Sequence, residues 1–111
     1  MKITAVKTYR FTFDAEDAKM AYAMYRELFK TIRMELLLVL AMREDAKVRQ
    51  LTILNKITRN TGLQIELDDY EVQQLLSDLH DYGVSTQDAV NGARAMELYR
   101  AIKDEHVEGW Y

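Results

Sequence analysis

The sequence predicts an α+β fold dominated by helix, with two β-α units in one small domain and four or five helices packed on a short two-stranded sheet. Three observations carry this expectation. Alternating apolar residues give way to helical spacing twice, 54 residues apart, at Phe11-Thr-Phe13-Asp14 and at Ile65-Glu-Leu67-Asp68. In each case a second acid, Asp17 or Glu71, follows the Asp by three positions. Alternation with period two marks a half-buried strand, and an Asp followed three residues later by an acid opens a helix. Proline is absent and only four glycines occur, so helices should be long and loops short. Finally, a chain of 111 residues supports one hydrophobic core and no more.

The first strand is expected over residues 3–13. Ile3, Ala5, Tyr9, Phe11 and Phe13 alternate with Thr4, Thr8, Arg10 and Thr12, and Lys7 is the one discordant position. Asp14 caps the following helix, where a carboxylate accepts backbone N–H bonds and favours the positive end of the helix dipole. Its apolar stripe runs through Ala18, Tyr22, Tyr25, Phe29, Ile32, Leu36 and Val39. Arg43 and Glu44 interrupt that stripe, and a second helix or a bent continuation carries Val48, Leu51, Leu54 and Ile57. Gly62 ends it, because glycine takes the left-handed conformation readily.

Leu63, Ile65 and Leu67 form the second strand, and Asp68 with Glu71 caps a helix expected to stop at Gly83. Ser85 or Thr86 then caps the last helix, through Ala89, Ala93, Met96, Tyr99 and Ile102, with Gly92 inside it to admit a close helix approach. The pseudo-repeat units span about residues 3–60 and 63–106 of a single domain, 1–111. The two strands pair with each other beneath the helices, or pair across a dimer to make four. Duplication explains the repeat, and so does capping chemistry alone, since it generates similar strings.

Hydrophobic residues make up 49% and charged residues 30%, the balance of a folded globular chain. No cysteine is present, which excludes disulfides, thiolate catalysis and cysteine-ligated metal, and makes a reducing cytoplasm the natural setting. No secretory signal is visible in the opening residues. The apolar run Leu36 to Met42 is far shorter than the roughly 20 residues a membrane span needs. It is apolar all round a helix, as is Met20 to Met24, and such a helix needs cover on every side. A second copy of the chain is a natural source, so a homodimer is expected.

Charge is unevenly spread. Residues 61–88 hold Glu66, Asp68, Asp69, Glu71, Asp78, Asp81 and Asp88 with no Lys or Arg, while the whole chain carries only −3. Glu66, Asp68, Asp69, Glu71, Asp78 and Asp81 therefore form the candidate partner-binding face, suited to a basic protein such as a nuclease or another nucleic-acid-binding protein. Acids beside a helix N-terminus are also favoured by its dipole, and the glycine-bearing loop of a hard-ion site is missing. Asp78, His80 and Asp81 splay over different helix faces, and His80 and His106 lack a third ligand at recognisable spacing. Ser77 and Ser85 lie in no nucleophile motif, and no glycine-rich phosphate loop occurs. No catalytic residue, metal or cofactor is expected.

Lys47, Arg49, Lys56 and Arg59 offer an alternative nucleic-acid contact along one helix, although Glu44 and Asp45 interrupt the patch. Trp110 and Tyr111 either fold back onto the domain or protrude as an aromatic anchor.

The opening Lys2-Ile-Thr-Ala-Val-Lys-Thr-Tyr-Arg-Phe-Thr-Phe13-Asp14 resembles small accessory proteins of Firmicute phages and prophages, as does the compact, acidic, cysteine-free chain. The resemblance covers about the first 30 residues and carries no functional residue across. It implies proteins that bind host or phage machinery, including anti-CRISPR and other anti-defence inhibitors, in the bacterial cytoplasm. The leading expectation is a non-catalytic interaction module that inhibits or modulates a nucleic-acid-handling partner. A homodimeric regulator using residues 43–60 and a virion assembly component are the alternatives.

Overall fold

A computed structural model describes the backbone of residues 7–30 and 36–108, and the side chains of 7–29 and 47–105. In chain order the elements are β1 (Thr8–Thr12), α1 (Ala15–Lys30), α2 (Leu36–Arg59), β2 (Gln64–Asp68), α3 (Asp69–Ser85) and α4 (Ala89–Glu108). β1 and β2 pair antiparallel, with Arg10 opposite Glu66 and Phe11 opposite Ile65. The expected helix-dominated α+β architecture is therefore the observed one.

Register follows from the period of two. Phe11, Phe13, Ile65 and Leu67 turn into the core, while Arg10, Thr12, Gln64 and Glu66 face outwards. Each helix adds its own apolar stripe. Ala18, Ala21 and Tyr25 come from α1, with Met20 and Met24 beside them; Ile53 and Ile57 from α2; Val72, Leu75, Leu79 and Tyr82 from α3; Ala95 and Ile102 from α4. Tyr25 is fully buried, whereas Tyr22 lies one position off the stripe and is 54% exposed, against the expectation that both are core or core-edge residues.

Three expected boundaries move. Arg43 to Asp45 lie inside α2. Charged residues interrupt an apolar stripe without breaking a helix, since Arg and Glu are good helix formers. Gly83 does not end α3, which continues to Ser85. Asp88, and not Ser85 or Thr86, caps α4, its Oδ1 accepting the Asn91 backbone N–H at 3.0 Å. The role of Gly83 is contact: a Cβ there would lie 2.6 Å from Met96 Sδ, and its carbonyl is 3.4 Å from the corresponding position at Gly92. The pair lets α3 and α4 pack closely, as anticipated for Gly92 alone. Gly62, at φ +80°, ends α2.

Both β-to-α junctions close in the same way. Asp14 Oδ1 accepts the Asp17 N–H at 2.8 Å, and Asp17 Oδ2 accepts the Asp14 N–H at 3.3 Å. Asp68 and Glu71 repeat the exchange at 2.8 and 3.0 Å. Each reciprocal cap satisfies two otherwise orphan donors.

Candidate functional site

The six acids expected to share a face differ in their settings. Glu71 is buried, capping α3 and receiving the Lys56 ammonium at 2.9 Å. Asp68 is occupied by the same cap. Glu66 stays at the surface, paired with Arg10 Nε at 3.2 Å across the sheet. Asp69 is half-buried beside the Tyr9 hydroxyl, whose pKa burial and the Asp69 carboxylate raise. Asp81 is exposed with His80 Nδ1 at 3.7 Å, while Asp78 is buried. Glu71 and Asp78, buried within the fold, therefore cannot contribute to an exposed docking face, whereas Glu66 and Asp81 remain at the surface.

Asp78 occupies the most unusual setting. Its Oδ1 accepts from Gln50 Nε2 at 3.1 Å and from Gln74 Nε2 at 3.0 Å. Among the described residues, its Oδ2 and the Tyr25 hydroxyl have no partner other than each other. Three helices thus converge on one carboxyl that has no cation beside it among the described residues. Burial pushes its pKa up to about 6, against the opposing pull of three donors, and pushes the Tyr25 hydroxyl well above its ordinary value.

The basic stretch is also engaged. Lys56 bonds Glu71 and the Glu66 carbonyl, the Arg49 guanidinium lies 5.6 Å over the Tyr70 ring, and Lys47 lies 5.6 Å over Phe29. Of the four residues named for nucleic-acid contact, Arg59 alone is exposed. Trp110 and Tyr111 lie outside the described residues.

What the structure does bring together at the surface is apolar and aromatic. Val48, Leu51 and Tyr70 are 58%, 42% and 60% exposed. Between α2 and the start of α3 runs an open groove of about 360 Å³, lined by Val48, Arg49, Thr52, Asp68 and Glu71. Tyr70 stands beside it through its contact with Arg49. The sequence reading sets Val48 and Leu51 in one helical stripe with Leu54 and Ile57, without separating outer from inner positions. The available signal was the stripe's width: Ile53 and Ile57 already fill the inner face of α2, which leaves positions 48 and 51 outside.

Among the described residues no three His, Asp or Glu side chains converge as a metal site would require, and no helix is long and apolar enough to cross a membrane. No protein-family model, no curated protein and no solved structure matches the chain.

Proposed function

We propose that the chain is a non-catalytic protein-interaction module, and that it docks through the outer face of α2 and the first turn of α3. The observation that carries this reading is an open groove lined by exposed Val48 and half-buried Arg49, with exposed Tyr70 stacked on Arg49 and exposed Leu51 on the same helix. Tyrosine and arginine are enriched among the residues that dominate interface energetics, and the cation–π contact pre-orders both side chains at little further entropic cost. The exposed aliphatic residues supply area to be covered.

The resemblance of the opening residues to phage accessory proteins suggests, as the class of partner, a nucleic-acid-handling protein of the host or phage whose action is inhibited or modulated. That part rests on the resemblance alone. Direct nucleic-acid binding by residues 43–60 is less well supported, because Lys47, Arg49 and Lys56 are committed within the fold.

The test is an affinity capture from source cells with wild type, Tyr70→Ala and Val48→Ser chains, read by mass spectrometry and confirmed with the purified partner. Both variants should lose the partner while keeping the wild-type melting curve. A partner retained by both variants, yet lost on charge reversal of Glu66 and Asp81, would return the reading to an acidic face.

A further inference from the structure

The two outer edges of the sheet differ. In an antiparallel pair, residues alternate between those whose backbone groups face the partner strand and those whose groups face away. Three bonds fix which is which here. The Glu66 carbonyl accepts from Lys56 Nζ at 2.9 Å, and the Asp68 N–H is taken by Glu71 Oε1 at 3.0 Å, so the even residues of β2 face away from β1. The Phe13 carbonyl accepts from the Gly62 N–H at 2.8 Å, so the odd residues of β1 face β2. The outer edge of β2 is therefore met at Glu66 and Asp68 by side chains of α2 and α3. On β1 the outward groups belong to Thr8, Arg10 and Thr12, and among the described residues they have no main-chain partner.

Beside that edge lies a groove of about 190 Å³, bounded by Arg10 and Thr12 on β1 and by Leu98, Ala101, Ile102 and Glu105 on α4. A strand edge facing a helix with an apolar floor between them fits an extended chain. An incoming strand makes main-chain bonds to the edge and places alternate side chains on the floor. Charge narrows the choice. Arg10 projects from the outer face with its side chain 66% exposed, and it already meets Glu66 on one flank. A residue entering opposite Arg10 on the other flank shares that outer face, so an acid there completes a carboxylate–guanidinium–carboxylate ladder. Its two neighbours then point to the apolar side, towards Leu98 and Ala101.

We propose that the open edge of β1 captures an extended segment of a partner protein as a third strand, with an acidic residue flanked by apolar residues set opposite Arg10. β2 presents that pattern to the other edge of β1, as Ile65-Glu66-Leu67. A second copy of β1 fits less well, because it offers Tyr9-Arg10-Phe11 and places Arg10 against Arg10 in the register centred there.

The probe is a labelled peptide, Thr-Val-Glu-Val-Thr, with Thr-Val-Lys-Val-Thr as control, measured by fluorescence anisotropy on the full chain. The Glu peptide should bind at least about tenfold more tightly than the Lys peptide. Thr12→Pro removes an outward N–H without touching the β1–β2 bonds, and should abolish binding. The exchange Arg10→Glu/Glu66→Arg keeps the internal pair and should invert the preference, which keeps the test decisive should Thr12→Pro fold poorly. Tyr70→Ala should leave peptide binding unchanged, so loss of the α2–α3 face and loss of this edge are told apart. Equal binding of both peptides, no binding of either, or self-association abolished by Thr12→Pro would each overturn the proposal.

Discussion

Replacing Asp78 by Asn tests the least ordinary energetic feature of the fold. An unfolded Asp releases its proton near 3.8, whereas the buried Asp78 holds it up to about 6. Below 3.8 both states are protonated and the group takes nothing from stability. As pH rises the unfolded chain ionises first, so stability falls between about pH 4 and 6, and the whole difference is lost above the folded pKa. That difference is about 3 kcal/mol at neutral pH, a large share of a small domain's total. Asn keeps the oxygen that accepts from Gln50 and Gln74, and gives an N–H towards the Tyr25 oxygen. Asp78→Asn should therefore gain about 1–3 kcal/mol at pH 7 and little at pH 4, the shortfall reflecting hydrogen bonds weaker than those to a charged group. Urea unfolding followed by circular dichroism at both pH values measures this directly. A variant less stable than wild type at pH 7, or one that keeps the wild-type slope between pH 4 and 6, would refute the reasoning.

Lys56→Met should destabilise by about 2 kcal/mol in urea titrations, below the range for a fully buried pair because Lys56 is one-third exposed; adding Glu71→Gln should recover most of it. Gly83→Ala should lower the melting temperature by forcing Met96 aside, while in a Met96→Ala background the same change should gain about 1 kcal/mol from helix propensity. Asp68→Ala should cost about 1 kcal/mol or more through loss of the α3 cap, measured by the same titration. Tyr70→Ala should change stability by less than about 0.5 kcal/mol, since its side chain is largely exposed, which keeps its binding phenotype separate from folding.

Local chemistry made the fold legible in the sequence. The strands, their facing and both reciprocal caps follow from residues within a few positions of one another: Phe11 and Phe13, Ile65 and Leu67, and an Asp followed three positions later by an acid. The failures came where tertiary contact decides. Gly83 looks like a stop signal by composition, but its missing side chain is used by Met96 from another helix. Arg43 and Glu44 look like an interruption only if every helix keeps one stripe. The acids from Glu66 to Asp81 look like a surface because six like charges with no base nearby in sequence would repel. Their partners, Arg10, Lys56, Gln50 and Tyr9, come from far along the chain, and sequence proximity carries no trace of them. The candidate docking face was illegible for the same reason: whether Val48 is inside or outside depends on which α2 residues other elements cover.

The repeat itself can now be bounded. A 54-residue offset maps Asp14 onto Asp68 and Asp17 onto Glu71, and the two caps superpose in their bonding pattern. Each third-position acid also receives a cation from the second helix of the other unit, Lys56 to Glu71 and Arg94 to Asp17. Those cations do not correspond, however. Lys56 lies in the last turn of α2, whereas Arg94 lies in the second turn of α4, so the second helices approach the caps from opposite ends. The equivalence thus holds for strand, cap and first helix, and fails beyond them. The offset also sets Met24, fully buried in α1, against Asp78 in α3. A simple duplication would carry the apolar residue to both places. The carboxyl appears instead where Gln50 from α2 is present to meet it. The interior polar cluster is thus tied to the unequal docking of α2 and α4, and Asp78→Met is its sharpest probe. If the cluster fixes how α2 docks, that substitution should raise stability while loosening α2, seen as faster amide exchange around Gln50. Unchanged exchange would reduce Asp78 to a tolerated defect.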